Sequence, residues 1–368
     1  MRVRPDGPIG EGTAMEYDGA LRGYIGDLSQ VAGIQHIEYR SGRAKGVEGY
    51  EVRTGAGLRY TVLKDRCMDI SAAEFRGVPL THVTGVGVTS PQMVDDKGMG
   101  FLRGFNPGFL VTCGLTQAGS PCVDGGEELP LHGRIGGMPA EESGFNTEWA
   151  GAGRPEFRMW GKVSEATYFG AHAVLHRHIR SPFGRNVIRI RDEVVNEGYD
   201  DMPFMILYHL NYGYPLLQEG TLLRGGIRSA TPRNARAAEG LADYGVIHAP
   251  VKGFVEQCYY LELDQDGDGH ACIALLNYAL GFGVYERYVK APLPNLTMWK
   301  QLGEKYYTVG LEPANCRPDG RAEERAAGTL RTLAPGEREV MELEIGILDG
   351  EAEMRAFEDR YPRTPGLG

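Results

Sequence analysis

Three segments of this 368-residue chain carry side chains suited to moving protons and gripping a polar ligand. In Leu207-Tyr208-His209-Leu210-Asn211-Tyr212 the two-residue period of a β-strand puts Leu207, His209 and Asn211 on one face and the other three on the opposite face. A histidine and an asparagine so placed converge on one ligand, although a core strand whose histidine bonds a neighbour fits the same pattern. Glu312 is the one charge in the run 306–316 and ends its strand just before Pro313, where a carboxylate projects either into a pocket or into water. Burial would raise its pKa toward the range useful to a general base. In Leu131-His132-Gly133-Arg134 the backbone can approach a ligand closely while His and Arg offer hydrogen-bond donors. A turn with a satisfied histidine and a surface arginine is the plainer reading of that segment.

Three further features accompany these segments. Trp299, in the run before Glu312, has an apolar ring with a polar edge that matches a sugar, and Lys300 follows it. Asp65 and Arg66, with Asp69 nearby, read either as a substrate clamp or as an ion pair fixing a turn. His172, His176 and His178 share a strand face with the partner arm's Arg189 and Arg191, which makes a solvated face a better reading than a metal cluster. No G-x-G-x-x-G run sits between a strand and a helix, so no nucleotide site is expected.

The elements that must position these residues read as β. Glycine reaches 53 residues, about twice its usual share, and 21 prolines accompany it, implying short strands and many tight turns. Runs such as Leu58–Leu63 alternate, and Ala171–Asn196 reads as a hairpin turning at Ser181-Pro182-Phe183-Gly184. The main helical candidate is Gly350–Tyr361. The chain is therefore expected to be all-β, one domain over residues 15–368 behind a loose polar extension over 1–14. A net charge of −10 argues against nucleic acid and anionic membrane surfaces as partners. No apolar run is long enough to span a bilayer and no apolar region follows the charged start, so a cytoplasmic protein without a signal peptide is expected. Six scattered cysteines without a C-x-x-C pair read as reduced thiols.

On these residues the sequence resembles the aldose 1-epimerase (galactose mutarotase) superfamily, and in particular its bacterial aldose 1-epimerase-like branch, from about Leu21 to Leu348. Val194-Val195-Asn196-Glu197-Gly198, Pro203-Phe204 and His209-Leu210-Asn211 are similar to the stretch ending in the family's catalytic histidine, with Leu210-Asn211-Tyr212 replacing the usual aromatic pair before the asparagine. His132 in Leu131-His132-Gly133 and Glu312 in Gly310-Leu311-Glu312 are similar to its substrate histidine and catalytic glutamate. The resemblance implies a galactose mutarotase-like β-supersandwich that binds a small sugar in a concave cleft and interconverts its anomers without cofactor or metal. Glu312 would take the C1 hydroxyl proton, His209 would protonate the ring oxygen and His132 would hold it. Arg134, Asn211, Trp299 and Lys300 would orient hydroxyls or an anionic substituent. Arg66, beside Asp65, and Arg134 both stand available for the family's early sugar-binding arginine. The same scaffold also suits a sugar isomerase, C2 epimerase or lyase with a metal on His132, His209 and Glu312, or a non-catalytic sugar-binding protein. No feature sets the oligomeric state.

Overall fold

The computed structural model describes Ile9 and residues 16–150 and 154–361, so the extension expected over 1–14 lies, apart from Ile9, outside the described residues. Among them the strands form a 12-stranded sheet, an eight-stranded sheet and a two-stranded ribbon of Cys122–Asp124 and Glu127–Leu129. The two large sheets lie face to face over one apolar core, in which Tyr60, Tyr208 and Leu210 from the larger meet Leu175, Ile190 and Leu343 from the smaller. The chain is thus the all-β double sandwich that its glycine content and short alternating runs imply.

Met202–Gly213 runs through the middle of the larger sheet, between Leu110–Leu115 and Thr308–Ala314 and antiparallel to both. Almost every residue of it is buried, so its alternation shows as two apolar clusters rather than as a wet and a dry face. Tyr208, Leu210 and Tyr212 enter the core between the sheets. Met205 and Leu207 join Val111, Cys113, Ala314 and Cys316 on the other side.

The expected hairpin forms from His172–Pro182 and Val187–Asn196, pairing Ala173 with Asn196 and Arg180 with Arg189. Its first strand runs on through Ser181 and Pro182, so the turn falls two residues later than expected, where the Phe183 and Gly184 amides bond the Pro155 and Thr54 carbonyls. Ile188 and Ile190 are buried, Arg189 and His178 exposed, and His172 and His176 half-buried. The C-terminal helix spans Glu351–Arg360 and buries Met354 and Phe357 against the smaller sheet. Four shorter helices, Gly19–Tyr24, Phe101–Gly104, Ala235–Glu239 and Arg321–Ala327, lie in connections that the helical period does not mark. The six cysteines are free, and among the described residues no helix is long and apolar enough to cross a membrane.

One charged side chain crosses the core. Arg177, fully buried, donates from Nε and Nη2 to Asp192 at 2.9 and 2.7 Å and from Nη1 to Asp69 Oδ1 at 2.8 Å. Asp192 belongs to the smaller sheet and Asp69 to the larger. Tyr208 Oη donates to Asp192 at 2.7 Å, and the Thr112 amide and hydroxyl donate to Asp69 at 2.9 and 2.6 Å. Asp69 therefore serves the core and not a clamp with Asp65 and Arg66. Replacing Arg177 with Met leaves two buried carboxylates without their cation, which is expected to cost about 3–5 kcal/mol in urea unfolding. A loss under about 1 kcal/mol would show that the sheets hold together without this ion group.

Candidate active site

The strand register assembles the site. Asn211 lies opposite Gly310 and Leu210 opposite Leu311, which carries His209 to a place across from Glu312. On the next strand Thr297 is opposite Glu312 and Trp299 opposite Gly310, and on the other side Val111 is opposite His209. Period two then sets Val111, His209, Glu312 and Thr297 in one row and Asn211, Gly310 and Trp299 in the next, all on the face turned away from the second sheet. His209 Nε2 comes 3.3 Å from Glu312 Oε1, and both side chains are almost wholly buried, at 6% and 3% exposure. The contact lacks the alignment of a hydrogen bond: among the described residues neither Glu312 Oε1 nor His209 Nδ1 has a hydrogen-bond partner. Gly310 makes room for the carboxyl, because a Cβ there would stand 2.4 Å from Glu312 Oε1.

His132 reaches the pair from a turn rather than a strand. It adopts the left-handed conformation, φ 59°, and Gly133 follows at φ 74°. A Cβ on Gly133 would meet the Gln117 and Gly114 carbonyl oxygens at 2.2 and 2.4 Å, so only glycine lets the turn close this tightly. The His132 ring centroid lies 5.6 Å from that of His209. Over both histidines sits an aromatic cover. Phe101 and Phe105 stack at 4.8 Å, Phe101 packs on His132 at 4.9 Å and Phe105 on His209 at 5.4 Å. Trp299 closes the far side, 5.3 Å from His209 and 6.4 Å from Phe105. The sequence reading missed Phe101 and Phe105; their spacing of four residues, one helical turn, is the signal that marks them.

Burial sets the protonation of the pair. It pushes the Glu312 carboxyl well above its usual range, helped by the nearby Glu256 carboxylate and opposed by Arg233. It holds the His209 imidazole well below its ordinary value, with His132 adding to the effect. His132 is lowered to about 4, again chiefly by burial and then by Arg233. Both members of the pair are thus held neutral, as a carboxylic acid beside an imidazole. Arg233 is tied by its Nε to Asp319 at 2.8 Å and by Nη2 to the Ser120 hydroxyl and the Pro318 carbonyl. Tyr260 Oη donates to the other Asp319 oxygen at 2.6 Å, and Trp299 Nε1 to Glu256 at 2.7 Å. Arg233, Glu256 and Asp319 carry no local motif, and only the long-range fold brings them here.

The expected ligand-binding residues divide. Trp299 faces the pair. Asn211 shares its face but is wholly buried, with both amide protons given to the Pro107 and His209 carbonyls, so it holds backbone in place. Lys300 corrects the expectation: consecutive strand residues point to opposite sides, and with Trp299 in the site Lys300 lies under the sheet, donating to the Asp243 carbonyl at 2.8 Å. Arg134 is engaged by Asp96 and Glu127 at 3.7 and 3.6 Å and turns to those carboxylates instead of the histidines. Arg66 spends its Nε and Nη1 on the Gly136 and Thr89 carbonyls, bracing the turn after His132, while Asp65 accepts from the Glu48 amide and is no partner of Arg66. Among the described residues no group of three or more His, Cys, Asp or Glu is arranged to hold a metal ion.

Solved structures share this architecture. A Klebsiella pneumoniae protein provisionally named an aldose 1-epimerase superposes with a TM-score of 0.83, 24% identity and 94% coverage of both chains. A galactose mutarotase-like protein from Clostridium acetobutylicum gives 0.60 at 12% identity, covering 87% of this chain and 99% of that one. The galactose 1-epimerase of Lactobacillus acidophilus gives 0.53 at 12% identity, covering 87% and 100%. No curated protein sequence matches the chain. The fold is therefore that of the galactose mutarotase-like supersandwich. A family model described as a domain of unknown function, DUF4432, matches residues 44–347, and the chain belongs to that family.

Proposed function

We propose that the protein is an isomerase that interconverts the anomers of a free aldose, an aldose 1-epimerase, with Glu312 and His209 exchanging protons with the sugar. The observation that carries this reading is the pair itself, a carboxyl and an imidazole 3.3 Å apart, buried and held neutral under an aromatic cover. Opening a hemiacetal ring needs a proton removed from the C1 hydroxyl and one delivered to the ring oxygen, and closing it on the other face needs the reverse. A pair sharing one proton does both without help from bulk water.

Each residue's part follows from its surroundings. A sugar hydroxyl at Glu312 donates to the carboxylate form and favours moving the carboxyl proton onto His209 across the short gap. Glu312 then accepts the C1 proton while the charged His209 gives its own to the ring oxygen. His132, held neutral, keeps a ring nitrogen able to bond that oxygen or a neighbouring hydroxyl. Trp299 offers a ring face to the apolar side of the sugar, and the Glu256 carboxylate beside it accepts a hydrogen bond from a hydroxyl at the rim. The fold likeness supports this reading as well, since proteins named for this chemistry share it.

Glu312→Gln is expected to lower anomer exchange of an accepted aldose, followed by NMR exchange spectroscopy, by about 10²–10⁴-fold while sugar binding persists. An unchanged rate overturns the assignment. Gly310→Ala forces the Glu312 carboxyl off His209 and is expected to reduce kcat by up to about 10²-fold with the fold intact by circular dichroism. The pair works in its one-proton form. Activity should therefore fall on the acid side only as His209 charges, well below 6.5, and on the alkaline side only as Glu312 ionises, well above 4.5. A kcat/KM profile with an acid limb near 6.5 would contradict the buried, neutral pair.

A further inference from the structure

The larger sheet holds more space on its site-bearing face than one sugar ring fills. A cavity of about 790 Å³ lies between Arg233, Pro294 and Asn295 on one side and the helix Arg321–Ala327 on the other. The register locates it. Thr297 is opposite Glu312, and Asn295 is opposite Ala314, so Asn295 points to the same side one two-residue step away, about 7 Å along the sheet. Tyr260, opposite Thr297, stands between the two places, with its hydroxyl on Asp319 and Asp319 on Arg233. Arg233 lines the cavity, and its charge is also felt at Glu312 and His132.

The lining favours hydroxyl groups over a charged ligand. The lining carries three guanidiniums, Arg233, Arg317 and Arg331, and three carboxylates, Asp319, Glu323 and Glu324, so its formal charges cancel in number; Arg233 pairs with Asp319 inside it and Arg331 with Glu339 outside it. What remains is an alternation of donors and acceptors, the pattern a neutral polyhydroxylated ring satisfies. Arg317 is spread over the Tyr260 ring at 4.6 Å, and Glu324, which accepts from the Arg317 backbone amide, keeps a carboxylate in the same lining, so the arginine's N–H groups meet a ligand with no excess of positive charge.

We propose that this cavity is a subsite for a second, uncharged sugar residue, which makes the substrate a reducing oligosaccharide whose terminal ring reaches His209 and Glu312. The inference rests on the reading of that pair as catalytic. The probes are glucose and the reducing disaccharides maltose, cellobiose and lactose, with wild type and Ala327→Trp; Ala327 lines the cavity from an exposed helix position, and tryptophan there narrows the space from outside the core. At least one disaccharide is expected to show a KM about tenfold below that of glucose, an advantage lost in Ala327→Trp while glucose kinetics stay the same. Equal or weaker values for all three disaccharides, or an advantage that survives the substitution, overturn the subsite. Should none of these sugars be interconverted, saturation-transfer NMR with the same sugars decides the subsite separately from the catalytic reading: a disaccharide preference lost in the variant supports it, and no preference overturns it.

Discussion

Arg177 is the charge on which both sheets converge, and the position of the site follows from it. Its guanidinium joins Asp192 of one sheet to Asp69 of the other in a dry interior, where paired charges attract strongly and unpaired ones are not tolerated. Tyr208 and Thr112 attach to the same carboxylates from neighbouring strands, opposite one another in register. Each immediately adjoins a residue of the site row, Tyr208 preceding His209 and Thr112 following Val111. Holding the core-side residues of two adjacent strands holds the cleft-side residues too, because a strand cannot turn one without turning the next.

The other side of that sheet is governed by removal of water. Glu312 and His209 are neutral because neither is hydrated, not because of a strong partner. Nearby charges are arranged to leave this intact: Arg233 is occupied by Asp319, Arg134 by Asp96 and Glu127, and Lys300 lies beneath the sheet, where burial lowers it to about 8. A free cation beside the pair would stabilise the carboxylate and end the neutral state of the pair.

The all-β fold, the His209 alternation and the isolation of Glu312 were legible because each is a local pattern with a short period. Lys300 was misread because residue type was weighed without the alternation already applied to His209; naming Trp299 rules out its neighbour. Arg177 offered a signal of the same kind, an arginine on the inward side of a strand whose other inward residues are Leu175 and Ile179. Phe101, Phe105, Arg233, Glu256 and Asp319 were out of reach, since they come from connections spread between residues 101 and 319 whose meeting depends on the sheet order. Arg66 and Arg134 carry the right chemistry, yet backbone carbonyls and loop carboxylates take it up.

The stacked Phe101 and Phe105 make the electrostatics of the pair depend on apolar contact. With the rings packed on both histidines, water is kept from the two imidazoles, and their lowered basicity belongs to this cover as much as to the histidines themselves. Charge at the bottom of the cleft is thus governed by two rings that carry none.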